Sequence, residues 1–265
     1  MIGSTVTRKT TTVSAAWLRA VLRAHADPVN AAGAQRFFVG GVKTYGVHRE
    51  MLDRLAREAA AALKDGAGLP AALRIGESLY RSGNMDEAAL AARILERFSR
   101  ELSPFHFQTF NRWVAWLQDW ASCDSLCIDL IGPLVCERPA LIRRILPWTR
   151  ARHRWRRRAA AVSLVPLART GERLPEILRV ADRLLGDADV MVQKGVGWLL
   201  KEATRRRARE IVAYLVANRA DTSRLVLRYA CEKLPGWERR RVLGSPGRRA
   251  PGSSGQPGTG TWKQA

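Results

Sequence analysis

The chain has 265 residues, enough for one large or two modest domains with a substantial core. Its 46% hydrophobic content is ordinary, but 45 Lys and Arg against 24 Asp and Glu give a net charge of +21 and an isoelectric point near 11.2. A chain this basic points to a polyanion, nucleic acid first, against the plainer reading that an arginine-rich composition covers a solvated surface.

Strand signals are nearly absent and helical periodicity runs throughout, so the spacing predicts an all-α protein. After a flexible start over residues 1–12, Val13–Ala24 is a first short helix ended by Asp27-Pro28. Asn30–Val39 is a second, interrupted by Gly40-Gly41, and a loop carrying Lys43, Tyr45 and Gly46 precedes a long amphipathic helix, Val47–Lys64. Asp65-Gly66 breaks it, Pro70 opens a helix to Arg81, and Asp86–Glu101 follows the turn at Ser82-Gly83-Asn84. Ser103-Pro104 pairs an N-cap residue with proline at the first helical position, starting a helix to about Gln118 that continues through Ala121–Val135. Pro139–Trp148, Arg152–Arg169, Leu174–Leu185, Val190–Arg205, Arg207–Asn218 and Ser223–Leu234 complete the set.

Short helices with tight connections, following one another in pairs, read as an α-solenoid of HEAT-like hairpins, because one hairpin cannot bury its apolar face alone. A compact multi-helix bundle is the competing architecture. The folded domain is placed at residues 13–237. The Arg/Gly/Pro/Ser-rich stretch 238–265 is read as a disordered basic tail that adds nonspecific phosphate attraction. Cys123, Cys127, Cys136 and Cys231 form no CxxC pair and no metal signature, so no metal is expected, and a reducing cytosol suits them. No segment approaches 18 apolar residues and no signal-peptide core opens the chain, so a soluble, intracellular protein is expected.

Three stretches carry chemistry. In Trp113–Asp129, WVAWLQDWASCDSLCID, Trp120 and Asp124 lie four apart and share a helical face. An indole beside a carboxylate suits a site that holds something cationic, whereas in the plainer reading the tryptophans are core and the aspartates caps. Trp113 and Trp116 are assigned to the core, and Asp119 and Asp129 receive no chemical role. The run RARHRWRRR, Arg150–Arg158, opens a helix with cations at the unfavourable end of the macrodipole, which makes sense if phosphates neutralise it. In the third stretch, Val190–Arg207, Trp198 and Lys201 share a face, while Gly195 and Gly197 allow close approach of a neighbouring helix or a ligand.

In this order the pieces resemble the DNA alkylation repair family of HEAT-like DNA glycosylases. The match rests on Trp120-x-x-x-Asp124, on Trp155-x-Arg157-Arg158-Ala159, and on Lys194-Gly195-x-Gly197-Trp198-x-Leu200-Lys201-Glu202. It is supported by SRLVLRYACEKL near the end and RFFVGGVKTYGVHRE near the start. The resemblance implies a helical horseshoe whose concave basic surface holds duplex DNA, and hydrolysis of the N-glycosidic bond of cationic N3- or N7-alkylated purines without base flipping. It implies that Asp124 stabilises the oxocarbenium-like sugar and orients water, and that Trp120 and Trp198 flank the deoxyribose. Arg157 or Arg158 would hold the neighbouring phosphate, with Lys201, Lys194, Lys43 and Phe38 also on the DNA. Lys201 stands where the family often carries arginine, Phe38 where an aromatic hydroxyl is common, and Gly40 where a basic residue is usual.

A cationic base leaves without being protonated, so one carboxylate can serve where ordinary glycoside hydrolysis uses two. Nearby arginines should keep that carboxylate ionised. The leading expectation is therefore a monofunctional, cofactor-free alkylpurine DNA glycosylase, a monomer of the cytoplasm associated with the nucleoid when on DNA. Its main rival is a non-catalytic helical-repeat protein that binds damaged or branched DNA through phosphates alone. A protein-interaction solenoid is a third reading, and a lyase using Lys43, Lys194 or Lys201 is less favoured.

Overall fold

The structure is a computed structural model that describes residues 13–244, and among these every regular element is helical. The expectation for residues 1–12 and most of the expected tail lie outside the described residues. The tail boundary itself moves. Residues 236–243 form a helix that buries Val242 and Glu238, so ordered structure extends past 237.

The N-terminal layer is built from local signals. Ser14 caps α1 (Ala15–Ala24) by accepting a bond from the Trp17 amide at 3.2 Å, and the helix buries Leu18 and Leu22. Asp27 caps α2 (Pro28–Gln35) through the amides of Val29 and Asn30. The long helix α3 (Arg49–Lys64) buries Leu52, Leu55, Ala56, Ala59, Ala60 and Leu63, the i, i+3, i+4 stripe expected of an amphipathic helix. It packs with α4 (Gly68–Arg81) and α5 (Met85–Glu96).

Two acids in the first turn of α5 fasten the preceding loop. Asp86 Oδ2 accepts bonds from Thr44 Oγ1 (2.7 Å) and the amides of Tyr45 (2.6 Å) and Gly46 (3.0 Å). Glu87 takes the Tyr45 hydroxyl at 2.7 Å and the Arg19 guanidinium at 2.8 Å. Gly46 sits at φ +75°, where a side chain would also collide with the Asp27 carbonyl, so the loop requires glycine there.

The expected helix from Ser103 to Gln118 is broken into a 3-10 turn, α6 (Phe107–Trp113) and a second 3-10 turn, ending at Leu117 in extended backbone. Trp113 is fully buried, stacked on Tyr80 and edge-on to Phe110. Gly76 makes room for it, since a Cβ there would lie 2.9 Å from the indole. Trp116 is half-buried beneath the Arg81 guanidinium.

From Trp120 the chain runs through α7 (Trp120–Ser125), a wide π turn at Leu126–Ile131 and α8 (Gly132–Glu137) without leaving helical geometry. Pro133, without an amide hydrogen, cannot close an α-helical bond onto Asp129, which accounts for the widened turn. Turns around α9 (Ile142–Ile145) lead to α10 (Arg154–Val162) and α11 (Val165–Thr170). These two were expected as one helix. Pro166 separates them, because it has no amide hydrogen to bond the Val162 carbonyl and its ring crowds that carbonyl, so α10 ends at Val162 and α11 restarts with the proline in its first turn.

After α12 (Leu174–Asp182), α13 (Val190–Ala217) is a single run with one non-helical residue, Arg207 (φ −132°, ψ 42°), near the break expected between residues 205 and 207. It packs against α10, α11 and α14 (Arg224–Ala230), and α15 (Gly236–Leu243) closes against α13 and α14. One continuous apolar core runs from Leu18 to Val242. No helix of the described residues is long and apolar enough to cross a membrane.

Candidate functional site

The site begins at Asp119, whose carboxylate caps α7 by accepting bonds from the Ser122 amide and hydroxyl, both at 2.7 Å. Burial pushes the Asp119 carboxyl above its usual range and these bonds pull it back, so its work is spent on the cap. With the helix start pinned, Trp120 and Asp124 fall on one face. Helix α7 and the π turn after it meet α10 through two small buried residues: the Cys123 thiol faces the Trp155 carbonyl at 3.6 Å and the Cys127 thiol the Ala159 carbonyl at 3.9 Å. That close approach brings Arg158 opposite Asp124.

The pair is bidentate, with Arg158 Nε donating to Asp124 Oδ1 at 2.9 Å and Nη2 to Oδ2 at 2.8 Å. Arg158 Nη1 donates to the Met191 carbonyl at 2.6 Å, so each of its three nitrogens is engaged by the protein. The guanidinium side chain is only 6% exposed, whereas the Asp124 side chain keeps 19% of its surface. Burial raises the Asp124 carboxyl above its ordinary value and the Arg158 charge opposes that rise. Two charge-assisted bonds to a group that never deprotonates favour the ionised form against that net rise. Burial acts against the Arg158 charge, and Asp124 more than compensates, leaving the guanidinium a stronger base than usual.

Trp120 is held from the other side. Phe38 stacks on it with centroids 5.0 Å apart and an 11° angle, and the Trp120 indole donates to the Phe37 carbonyl at 3.3 Å. Phe38 is thus buried against the indole.

Arg158 also ties α7 to α13. A Cβ on Gly195 would lie 3.2 Å from Arg158 Cγ, so this glycine admits the arginine stem, while a Cβ on Gly197 would collide with Tyr229 of α14. Both close approaches are to protein. Met191, Gly195 and Trp198 follow at i, i+4, i+7, so the face of α13 that receives Arg158 carries Trp198 one turn further on. The Trp198 indole donates to Glu202 Oε1 at 3.3 Å. Glu202, quoted in the sequence motif without a role, is almost fully buried and was legible only as an acid four residues after a tryptophan. Its other oxygen takes Arg169 Nε at 3.0 Å and Arg205 Nε at 2.8 Å.

The remaining residues disperse. Arg157 donates to both oxygens of Asp187 (2.6 and 3.1 Å) and to the carbonyls of Ala151 and Arg152. Its hydrogen bond to Asp187 raises its pKa against a smaller opposing effect of burial. Arg154 lies 3.6 Å from Asp189 and over the Trp155 ring, and Arg156 bonds Asn111 and sits over Trp148. Arg154, Arg156, Arg157 and Arg158 thus face carboxylates, an amide oxygen and rings of their own chain. Lys201 bonds Glu232 at 3.2 Å, Lys43 is exposed and bonds the Ser82 carbonyl at 3.1 Å, and Lys194 is partly buried on α13. Among the described residues no group of three His, Cys, Asp or Glu side chains is placed to hold a metal.

No curated protein matches the chain. Among solved structures, a predicted DNA alkylation repair enzyme from Enterococcus faecalis superposes with a TM-score of 0.69 at 15% identity, covering 80% of this chain and 98% of its own, which speaks for the fold. The profile of the family described as DNA alkylation repair enzyme matches residues 18–234, reaching from the first core leucine of α1 past α14. The chain belongs to the DNA alkylation repair enzyme family.

Proposed function

We propose that this protein is a monofunctional DNA glycosylase for cationic N3- and N7-alkylated purines. In this reading the helices form a curved solenoid whose concave basic face receives duplex DNA, and the damaged base is removed without being flipped into a pocket. The observation that carries it is Asp124: a partly exposed carboxylate, fixed by a buried arginine, beside the Trp120 indole.

The chemistry asks little more of the protein. The C1′–nitrogen bond breaks with its electron pair going to the base, which leaves neutral because it began as a cation. A water oxygen then bonds C1′ and releases a proton, giving an abasic site and the free alkylpurine. Positive charge grows on the sugar as the bond breaks, and a preorganised carboxylate stabilises it without rearranging. Trp120 and Trp198 offer flat electron-rich faces to the same charge. Arg158 serves here as the clamp that aims and ionises Asp124, and the phosphate beside the lesion falls to Lys201, Lys194 or solvent-facing arginines.

A non-catalytic reading has one specific observation in its favour: both Asp124 oxygens are already taken by Arg158. The test is release of N7-methylguanine or N3-methyladenine from duplex DNA under single turnover. Asp124→Asn, which keeps the shape of the pair, should slow release by at least about 10²-fold, the usual loss when a key electrostatic group is removed. Wild-type protein that binds the duplex and never releases a base would establish the non-catalytic reading instead.

A further inference from the structure

Beyond Trp198 the same stripe of α13 leads to a groove of about 700 Å3, lined by Arg169, Thr204, Arg205, Arg206, Lys233 and Glu238 among others. It opens where α13 bends at Arg207, and the bend is fastened by Arg207 Nε donating to the carbonyl of Gly171 at 2.8 Å. Gly171, at φ +79°, ends α11 in a left-handed turn against which the Arg206 stem packs. Three parts of the chain thus meet around the groove: the end of α11, the bend of α13 and the segment leading into α15.

Two of the lining arginines, Arg169 and Arg205, are paired with Glu202, which does not itself line the groove. The Glu202 side chain is 5% exposed, and one of its oxygens holds the Nε atoms of both Arg169 and Arg205, which are 45% and 57% exposed. Arg169 donates to Glu202 through Nε and Arg205 Nε lies 2.8 Å from the same oxygen, while both guanidinium side chains, whose planar fork fits phosphate, stay about half exposed. Arg206 and Lys233 add two exposed cations, offset by Glu238 and by Glu232, which lies 3.7 Å from Lys233 while bonding Lys201. A buried carboxylate that aligns two half-exposed guanidiniums differs from diffuse surface charge: it removes rotamer freedom before a ligand arrives.

We propose that this groove is a phosphodiester-binding site, taking the DNA backbone away from the lesion and indexing the strand against Trp198 through their shared partner, Glu202. The inference rests on the DNA-binding part of the proposed function and is independent of catalysis. The ligand chemistry is a phosphate diester, which a phospholipid headgroup could also supply.

The experiment is fluorescence anisotropy of an undamaged duplex with the full-length protein, titrated across salt. Removing one cation that neutralises a phosphate should lower the slope of log affinity against log salt by about 1, so Arg206→Ala/Lys233→Ala, which leaves the Glu202 ion pairs intact, should lower it by about 2. Arg169→Gln/Arg205→Gln, with folding checked by thermal melting, should do the same. Arg54→Ala/Arg57→Ala removes two exposed arginines of α3 as a charge-matched control and should change the slope less. Equal effects of the control and groove pairs would overturn the proposal. So would loss of binding to phosphatidylglycerol vesicles with unchanged binding to DNA. Wild-type protein that fails to bind duplex at low salt would sink the DNA reading as well, and is recognised without any variant. Base release left unchanged by Asp124→Asn, with the groove effects intact, would be a failure of the catalytic reading alone.

Discussion

Asp124 and Glu202 are both paired with arginine and both one helical turn from a tryptophan, yet they present opposite faces to solvent. At Asp124 the arginine is the buried member and the carboxylate retains exposed surface. At Glu202 the carboxylate is buried and two arginines reach outward. An ion pair half-sunk in a protein displays the charge of whichever member stays in water. The first pair offers a negative edge, suited to a cationic base or sugar, and the second a positive edge suited to phosphate.

The most damaging change to this contrast is removal of its buried cation. Arg158→Met leaves Asp124 without its partner, and losing one member of a buried pair costs about 3–5 kcal/mol, measurable by denaturant unfolding. Combining it with Asp124→Asn should recover part of that loss. The pH dependence of base release should move too. Asp124 must be ionised to act, so activity falls as pH drops through its pKa. Without Arg158 only burial acts on the carboxyl, its pKa rises further, and the acid limb shifts to higher pH.

A smaller effect separates the two glycines of α13. Gly197→Ala drives a methyl into Tyr229 and should destabilise by about 1–3 kcal/mol in thermal or chemical unfolding. Gly195→Ala meets Arg158 Cγ at 3.2 Å, where a flexible stem can give way. It should cost less stability than Gly197→Ala while slowing base release more. The reverse ranking would mean that the Arg158 seat is unimportant to the chemistry.

On the Glu202 side, Glu202→Gln keeps an acceptor for the Trp198 indole but weakens its hold on Arg169 and Arg205. It should lower the salt slope of DNA binding, with base release reduced less than about tenfold, a loss of under ~1.4 kcal/mol. A drop as large as that for Asp124→Asn would show that the two sides are not separable.

A change confined to the pH dependence of stability is expected at Asp129, in the π turn. Burial first, and then the Glu96 charge, push its carboxyl up to about 6 from an ordinary 3.8, with Arg93 opposing. Because the folded pKa is above the unfolded one, the native state holds the extra proton between these values, and stability falls as pH rises from about 4 to about 6. Asp129→Asn should therefore melt higher than wild type at pH 7 and nearly alike at pH 4. A pH-independent difference would remove the titration from the account.

Helical identity is legible in the sequence because caps and prolines act locally: Ser14, Asp27, Asn84, Asp119 and Asp189 all cap helices here. The π turn before Pro133 and the break before Pro166 are marked by the same local chemistry, but apolar spacing continues across both and reads as regular helix. The 236–243 helix is hidden by its composition, in which a single buried valine and a buried glutamate dock an otherwise arginine-rich segment.

The sequence by itself determined that Trp120 and Asp124 share a face, because a helical period needs nothing beyond the chain. It also marked the arginine run and the Gly195, Gly197, Trp198 cluster as unusual. Only the tertiary structure decided that Arg158 turns inward to Asp124 while Arg157 turns to Asp187, since one residue of helix rotation, about 100°, separates these outcomes. It likewise decided that Glu202 lies under two guanidiniums. Which charge of a pair is buried depends on helices distant in sequence closing over it, and no local pattern records that.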